Sequence, residues 1–234
     1  MKITFVYHTC YCAEDDSAAF IFDYWKGRLP VFSEGKPVYV FVSHSHHDHF
    51  NPDIYRLAEK YDKVYYIFSE DIRPVLPDVF KNGAFHVTWL KAGESKTVGD
   101  IFVRAYFSTD EGAAFLVKTK DKTIMHFGDL NWWHWEGEDD AFNLWQKEKF
   151  QEEIKKLEGE HIDISFGPAL DARQKPYHWL GMDYFMRHVR ADKVFPIHFF
   201  DEIGLVKEFI CSERAKPYRD RLMCVEKEDQ EFFI

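Results

Sequence analysis

The chain has 234 residues, a formal net charge of −10 and an isoelectric point near 5.6. That length suits one domain over residues 1–234 with a sizeable core, and the acidic balance makes nucleic acid an improbable partner. No stretch is apolar enough for a membrane span, and the opening, broken by His8 and then Glu14-Asp15-Asp16, does not read as a signal peptide.

Taken in chain order, residues 3–8 and 18–23 read as paired strands separated by the acidic turn Glu14-Asp15-Asp16-Ser17. Cys10 and Cys12, two apart on a strand, read as small buried hydrophobes; with Cys211 and Cys224 they predict free thiols in a reducing cytoplasm. The run Val38-Tyr39-Val40-Phe41-Val42 reads as a buried strand and delivers Ser43-His44-Ser45-His46-His47-Asp48-His49-Phe50, after which Asn51-Pro52 opens a helix. Ile54, Leu57, Ala58 and Tyr61 recur at helical spacing, and 63–68 returns as a strand. Residues 85–90, 101–107, 113–118 and 123–127 follow as strands, the last ending in Gly128-Asp129. The second half alternates a helix over 139–157 (apolar at Phe142, Trp145, Phe150, Ile154 and Leu157), a strand at 162–166, a helix at 182–190, a strand at 194–197 and a helix at 203–214.

Four imidazoles and a carboxylate within six positions are the ligand set of zinc and similar ions. In an extended stretch His44 and His46 point the same way and grip one ion. Where the chain turns, Asp48 and His49 face a second.

His44-x-His46-x-Asp48-His49, with Asp129 in His126-Phe127-Gly128-Asp129 and His198 in Phe195-Pro196-Ile197-His198, resembles the metallo-β-lactamase superfamily of metal-dependent hydrolases. The look of the opening and closing segments is nearest to its ascorbate-phosphate lactonase-like branch. The resemblance implies an α/β (α+β) fold, a four-layer αββα sandwich. It implies one or two divalent ions, zinc first with manganese or iron as alternatives: one on His44, His46 and a third histidine, the other on Asp48, His49 and His198, with Asp129 bridging. It places catalytic weight on Asp48 and Asp129, and gives Asp23 the task of bracing the metal loop. The expected reaction is hydrolysis of a small ester, lactone or phosphoester by a hydroxide on the metal. A phosphodiesterase or ribonuclease, or a non-catalytic metal-binding regulatory module, is the alternative.

The third histidine is missing. Between Phe50 and Met125 the only histidine is His86, and the strand end after residues 101–107 holds Ser108-Thr109-Asp110 instead. Asp110 is the expected replacement, with His134, also a candidate general acid, as the rival. Trp132, Trp133 and Trp135 follow Asp129 closely enough to border the pocket, and Arg173 or Lys175 is placed to meet an anionic group on a small-molecule substrate. His8 is a weaker site candidate, His178 another candidate acid, His47 faces outward, and His126, His161 and His188 are structural or surface groups. A homo-oligomer is compatible with the composition.

Overall fold

The computed structural model describes residues 1–83 and 85–234. One sheet contains β1 (Lys2–Tyr7), β2 (Cys10–Glu14), β3 (Ala19–Phe22), β4 (Val38–Val42), β5 (Val64–Ser69) and β6 (His86–Leu90) in that order, with β13 (Glu231–Phe233) beside β1. The other contains β7 (Ser95–Val98), β8 (Ile101–Phe107), β9 (Ala113–Lys118), β10 (Thr123–His126), β11 (His161–Ala169) and β12 (Arg190–Ile197), side by side in chain order. Outside the first sheet lie 3-10 turns and the one-turn α1 (Leu57–Lys60). On the second sheet's side lie α2 (Asp140–Lys155), α3 (Leu180–His188) and α4 (Gly204–Cys211). This is the expected αββα sandwich.

Strands β3 to β6 run parallel, and β3, β4 and β5 are covered on both faces, which explains their nearly unbroken apolar sequence. Along β4 the alternation is clear: Val38, Val40 and Val42 pack outward with Ile54, Phe68 and Phe80, whereas Tyr39 and Phe41 face the second sheet. Aromatic rings fill the space between the sheets. Phe41 lies 5.6 Å from Phe115, Tyr11 stacks on Phe166 at 4.7 Å, and the Tyr11 hydroxyl donates to Pro196 O at 2.7 Å.

Several expectations need correction. Residues 3–8 and 18–23 do not pair with each other, because Cys10–Glu14 forms a strand between them and bonds to both. The short β7 and β13 escaped sequence reading, and the helix over 54–61 is a 3-10 turn followed by a single α turn. On α2, Phe142 and Trp145 are exposed while Asn143, Gln146 and Glu153 are buried. The helix docks through polar contacts: Asn143 Oδ1 accepts from Trp135 N (2.9 Å), Gln146 Nε2 donates to Thr109 O (3.1 Å), and Glu153 accepts from Phe107 N (3.3 Å).

The topology brings chemistry to one rim. In the first sheet β1, β3 and β4 end there, and in the second β10, β11 and β12, so the loops leaving six strand ends converge.

Candidate metal centre

Those six loops deliver His8 after β1, Asp23 after β3, residues 43–49 after β4, Asp129 after β10, Asp171 after β11 and His198 after β12. The turn from β8 to β9 adds Asp110. Among the described residues, four of the five non-glycine residues with positive φ lie on this rim: His8 (56°), Asp23 (46°), His198 (64°) and Phe200 (46°). Such conformations cost about 1–3 kcal/mol each and persist only where surroundings impose them, as at ligand sites.

Asp23, fully buried, organises the loop. Its Oδ1 accepts from Ser43 N (2.7 Å), and its Oδ2 accepts from Ser43 Oγ (2.6 Å) and from His49 Nδ1 (2.8 Å). Because Ser43 Oγ donates to Asp23, it receives the proton of His44 Nδ1 at 2.9 Å. Asp171 does the same for His198, accepting from Nδ1 at 3.1 Å. Three imidazoles are thereby fixed as tautomers with the Nε2 lone pair free, the pattern of oriented metal ligands.

Those lone pairs converge on Asp129. His49 Nε2 is 3.2 Å, His198 Nε2 3.5 Å and His44 Nε2 3.6 Å from a carboxylate oxygen of Asp129. His44 Nε2 is also 3.0 Å from His46 Nδ1, close to the roughly 3.3 Å that separates two nitrogens on one tetrahedral zinc. His49 Nε2 and Asp129 Oδ1 are buried without a hydrogen-bond partner, so the donor set fits a divalent ion.

Burial sets the protonation. It pushes His44 and His49 well below the usual imidazole range, reinforced by neighbouring histidines, so both are neutral at pH 7. Burial among other carboxylates pushes Asp129 up to about 7, with His198 opposing. For Asp48, burial works upward, but His8 and His49 outweigh it and hold the carboxyl well below its ordinary range. His198 goes up, because Asp129 and Asp171 overcome its burial.

His8 stands closer to the centre than sequence reading placed it. It is fully buried, its ring 4.4 Å from that of His198 and 3.9 Å from that of Phe200. Phe200 N donates to its Nδ1 at 3.3 Å, which leaves the ring proton on Nε2, 3.4 Å from Asp48 Oδ2. Burial takes its pKa down to about 4. His8, Asp48, His49 and His198 present ligand atoms within 4.8 Å of one another, and His8 Nε2, like His49 Nε2, is buried without a hydrogen-bond partner.

Asp110 lies beside the first pair: its Oδ2 is 3.9 Å from His46 Nδ1, and Asp110, His46 and Asp129 offer atoms within 4.8 Å of one another. Glu111 is 3.6 Å from His46 Nε2. The turn is pinned to the metal loop where Ala113 N donates to Ser43 O (2.9 Å) and Gly112 (φ 67°) packs on it.

A cavity of about 350 Å³ opens over this cluster, lined by His46, Asp48, Asp110, Asp129, Trp133, Trp135, Phe142, Gln146, Arg173 and His198. Trp133 Nε1 donates to Asp129 O (2.9 Å), and its ring stacks on Trp135 at 5.9 Å. The expectation for Trp132 and His134 is corrected. With Trp133 turned inward, Trp132 packs toward Tyr184 (6.1 Å), and His134 lies against Tyr177 (4.0 Å), outside the cavity lining. Lys175 pairs with Glu208, and His178 is likewise not part of the lining. His47 is exposed, and His126 is a buried structural group that bonds Thr9 O. A larger groove of about 440 Å³ beside β8 and α2 carries Lys149 and Lys156, already paired with Glu152 and Glu153. Among the described residues, no helix is long and apolar enough to cross a membrane.

Comparison with known proteins agrees with this geometry. The family profile described as the beta-lactamase superfamily domain matches residues 2–139. A UPF0173 protein of Pyrococcus furiosus is 29% identical over 139 residues, a match that spans 55% of this chain and 60% of that relative's length. Among solved structures, Igni18, a metallo hydrolase from Ignicoccus hospitalis, superposes with a TM-score of 0.66 at 13% identity, covering 100% of this chain and 98% of that one. The metallo-beta-lactamase fold protein YhfI from Bacillus subtilis gives 0.60 at 13% identity, with 99% of each chain covered. At such identities the structural likeness speaks for the fold.

Proposed function

Because the chain belongs to the beta-lactamase superfamily, we propose that it is a metal-dependent hydrolase acting on a small ester, lactone or phosphoester. The observation that carries this reading is the set of three imidazoles pinned through Nδ1, with their Nε2 atoms gathered around a partnerless Asp129 oxygen. In this proposal His44, His46, Asp110 and Asp129 hold one ion, and Asp48, His49, His198 and Asp129 hold another. A divalent ion lowers the pKa of a bound water from about 15.7 to about 7 and polarises the bond under attack.

The chain's own groups do the rest. Asp48 and Asp129 would orient the attacking water, and the proton it gives would pass to solvent at the mouth of the cavity. The water oxygen bonds to the acyl carbon or phosphorus, the bond to the leaving oxygen breaks, and that oxygen takes up a proton from solvent. Trp133 and Trp135 narrow the access of bulk water. Zinc is the leading ion, and the oxygen-rich first position also suits manganese or iron. Lactones are the first class to assay, in keeping with the lactonase-like opening and closing segments. The acidic cavity, with Arg173 its one lysine or arginine among the described residues, disfavours a polynucleotide.

The test is to strip the protein with chelator, reload it with zinc, manganese or iron, and assay ester, lactone and phosphodiester panels. Hydrolysis of an ester, lactone or phosphoester that vanishes with chelation and returns with the ion is expected. A fully loaded protein that cleaves no compound of the panels overturns the reading.

Asp110→Asn keeps the size and removes the charge. We expect two ions per wild-type chain and, in the variant, affinity at one of them reduced about 10- to 100-fold. Calorimetric titration that finds both sites unchanged would remove Asp110 from the ion.

A further inference from the structure

Arg173 occupies an unusual position for a surface ion pair. Its backbone N donates to Asp171 Oδ1 at 2.8 Å, its Nε lies 3.0 and 2.9 Å from the two Asp171 oxygens, and its Nη2 bonds Oδ2. The guanidinium carbon lies 4.7 Å from the centre of the Phe200 ring and 6.0 Å from that of Trp135. Flat, stacked and tied at one edge, it loses little freedom on binding a partner. Asp171 itself is 1% exposed and also holds His198, while the Arg173 side chain keeps 57% of its surface open.

Supporting Asp171 uses only the Nε–Nη2 edge. Nη1 has no acceptor among the described residues, so the Nη1–Nη2 edge is free. That edge matches the two oxygens of a carboxylate or phosphate. The remaining cavity wall says what accompanies the anion. The stacked indoles of Trp133 and Trp135, with Phe142 beside them, present flat apolar surface, and about 350 Å³ sits at the small end of ligand cavities. One cation suits one anionic group, not a chain of phosphates.

We propose that Arg173 is the specificity-determining residue of the cavity, selecting small substrates that carry a carboxylate or phosphate apart from the bond that is cleaved. This rests on the hydrolase reading for the cleavage and on the Arg173 geometry for the anion. Asp171 links the two, since one carboxylate positions both the anion-reading guanidinium and His198.

The experiment uses the zinc-loaded full chain, with binding of glutarate and glycerol phosphate followed by tryptophan fluorescence against the neutral glutaramide and glycerol. In a second arm, hydrolysis of the 4-nitrophenyl monoester of glutaric acid is compared with that of 4-nitrophenyl butyrate. Arg173→Gln should weaken binding of at least one anion about 10- to 100-fold while leaving the neutral probes and zinc content unchanged. Arg173→Lys, which keeps charge without the fork, should fall between. Whichever anion suffers the larger loss identifies the group as carboxylate or phosphate. A wild-type protein without preference for either anion, or anionic and neutral probes weakening together as zinc is lost, overturns the proposal and leaves Arg173 a support for Asp171. If neither ester nor any compound of the ester, lactone and phosphodiester panels is cleaved yet Arg173→Gln still loses the anion, anion selection stands and the hydrolase reading fails. If butyrate is cleaved and anion binding ignores Arg173, the reverse holds.

Discussion

Replacing His198 with alanine should lower metal content measurably, weaken the affinity of the remaining ion at least tenfold, and reduce hydrolysis about 100-fold or more. The scale comes from metal sites in which loss of a mere supporting partner already costs 10- to 100-fold. Like His49, His198 reaches Asp129 through Nε2, at 3.5 Å, while a carboxylate, that of Asp171, holds Nδ1 at 3.1 Å, so its removal opens one position and unburdens Asp171 at once. The fold should survive, because Arg173 still satisfies Asp171. Metal analysis of the purified variant, with circular dichroism as the check on folding, decides the matter. Wild-type stoichiometry and affinity would remove His198 from the ligand set.

Gly112→Ala should be among the most damaging Gly→Ala changes at the described glycines. A Cβ there would stand 2.0 Å from Ser43 O and 2.6 Å from His44 Cβ, and the φ of 67° is already unfavourable for a side chain. The atoms met are the Ser43 carbonyl and the His44 Cβ, neither the far end of a flexible side chain, so relief requires the β8–β9 turn to lift off the metal loop. Overpacking of about 1–3 kcal/mol and a left-handed cost of about 1 kcal/mol sum to about 2–4 kcal/mol. For a chain of this size that corresponds to a Tm lower by roughly 4–16 °C, with weaker binding at the ion nearest Asp110. Gly204→Ala supplies the control, since a Cβ there meets nothing within 4 Å and φ is ordinary. Equal melting temperatures for the two variants would contradict the packing argument.

The sequence made some of this plain and concealed the rest for physical reasons. Strand β9 was legible to the residue because an apolar run between a glycine and a lysine-rich turn has few other readings. The histidine loop announced its chemistry, since no packed core tolerates that composition without an ion or charge partner. His8 was hidden because its role depends on a left-handed turn that carries its ring under His198, and no local pattern marks such a turn. The inward face of α2 was misread because Asn143, Gln146 and Glu153 bury themselves by satisfying loop backbone, leaving Phe142 free to line the cavity. Trp132 and His134 were placed by chain distance from Asp129, whereas the Trp133 indole bond fixes which neighbours turn away.

The convergence of six strand ends on one rim has a consequence for the life of the protein. His44, His46, Asp48 and His49 ride on one sheet, Asp129 and His198 on the other, so an ion shared among them is a clasp across the sandwich. An ion at a hundred times its dissociation constant adds about 2.7 kcal/mol to the folded state, a sizeable part of the stability of an ordinary domain. If the proposed ion binds there, metal starvation would act on abundance as well as on the proposed activity: a chain without its clasp would open along the sheet interface more often and be met by proteases in that form.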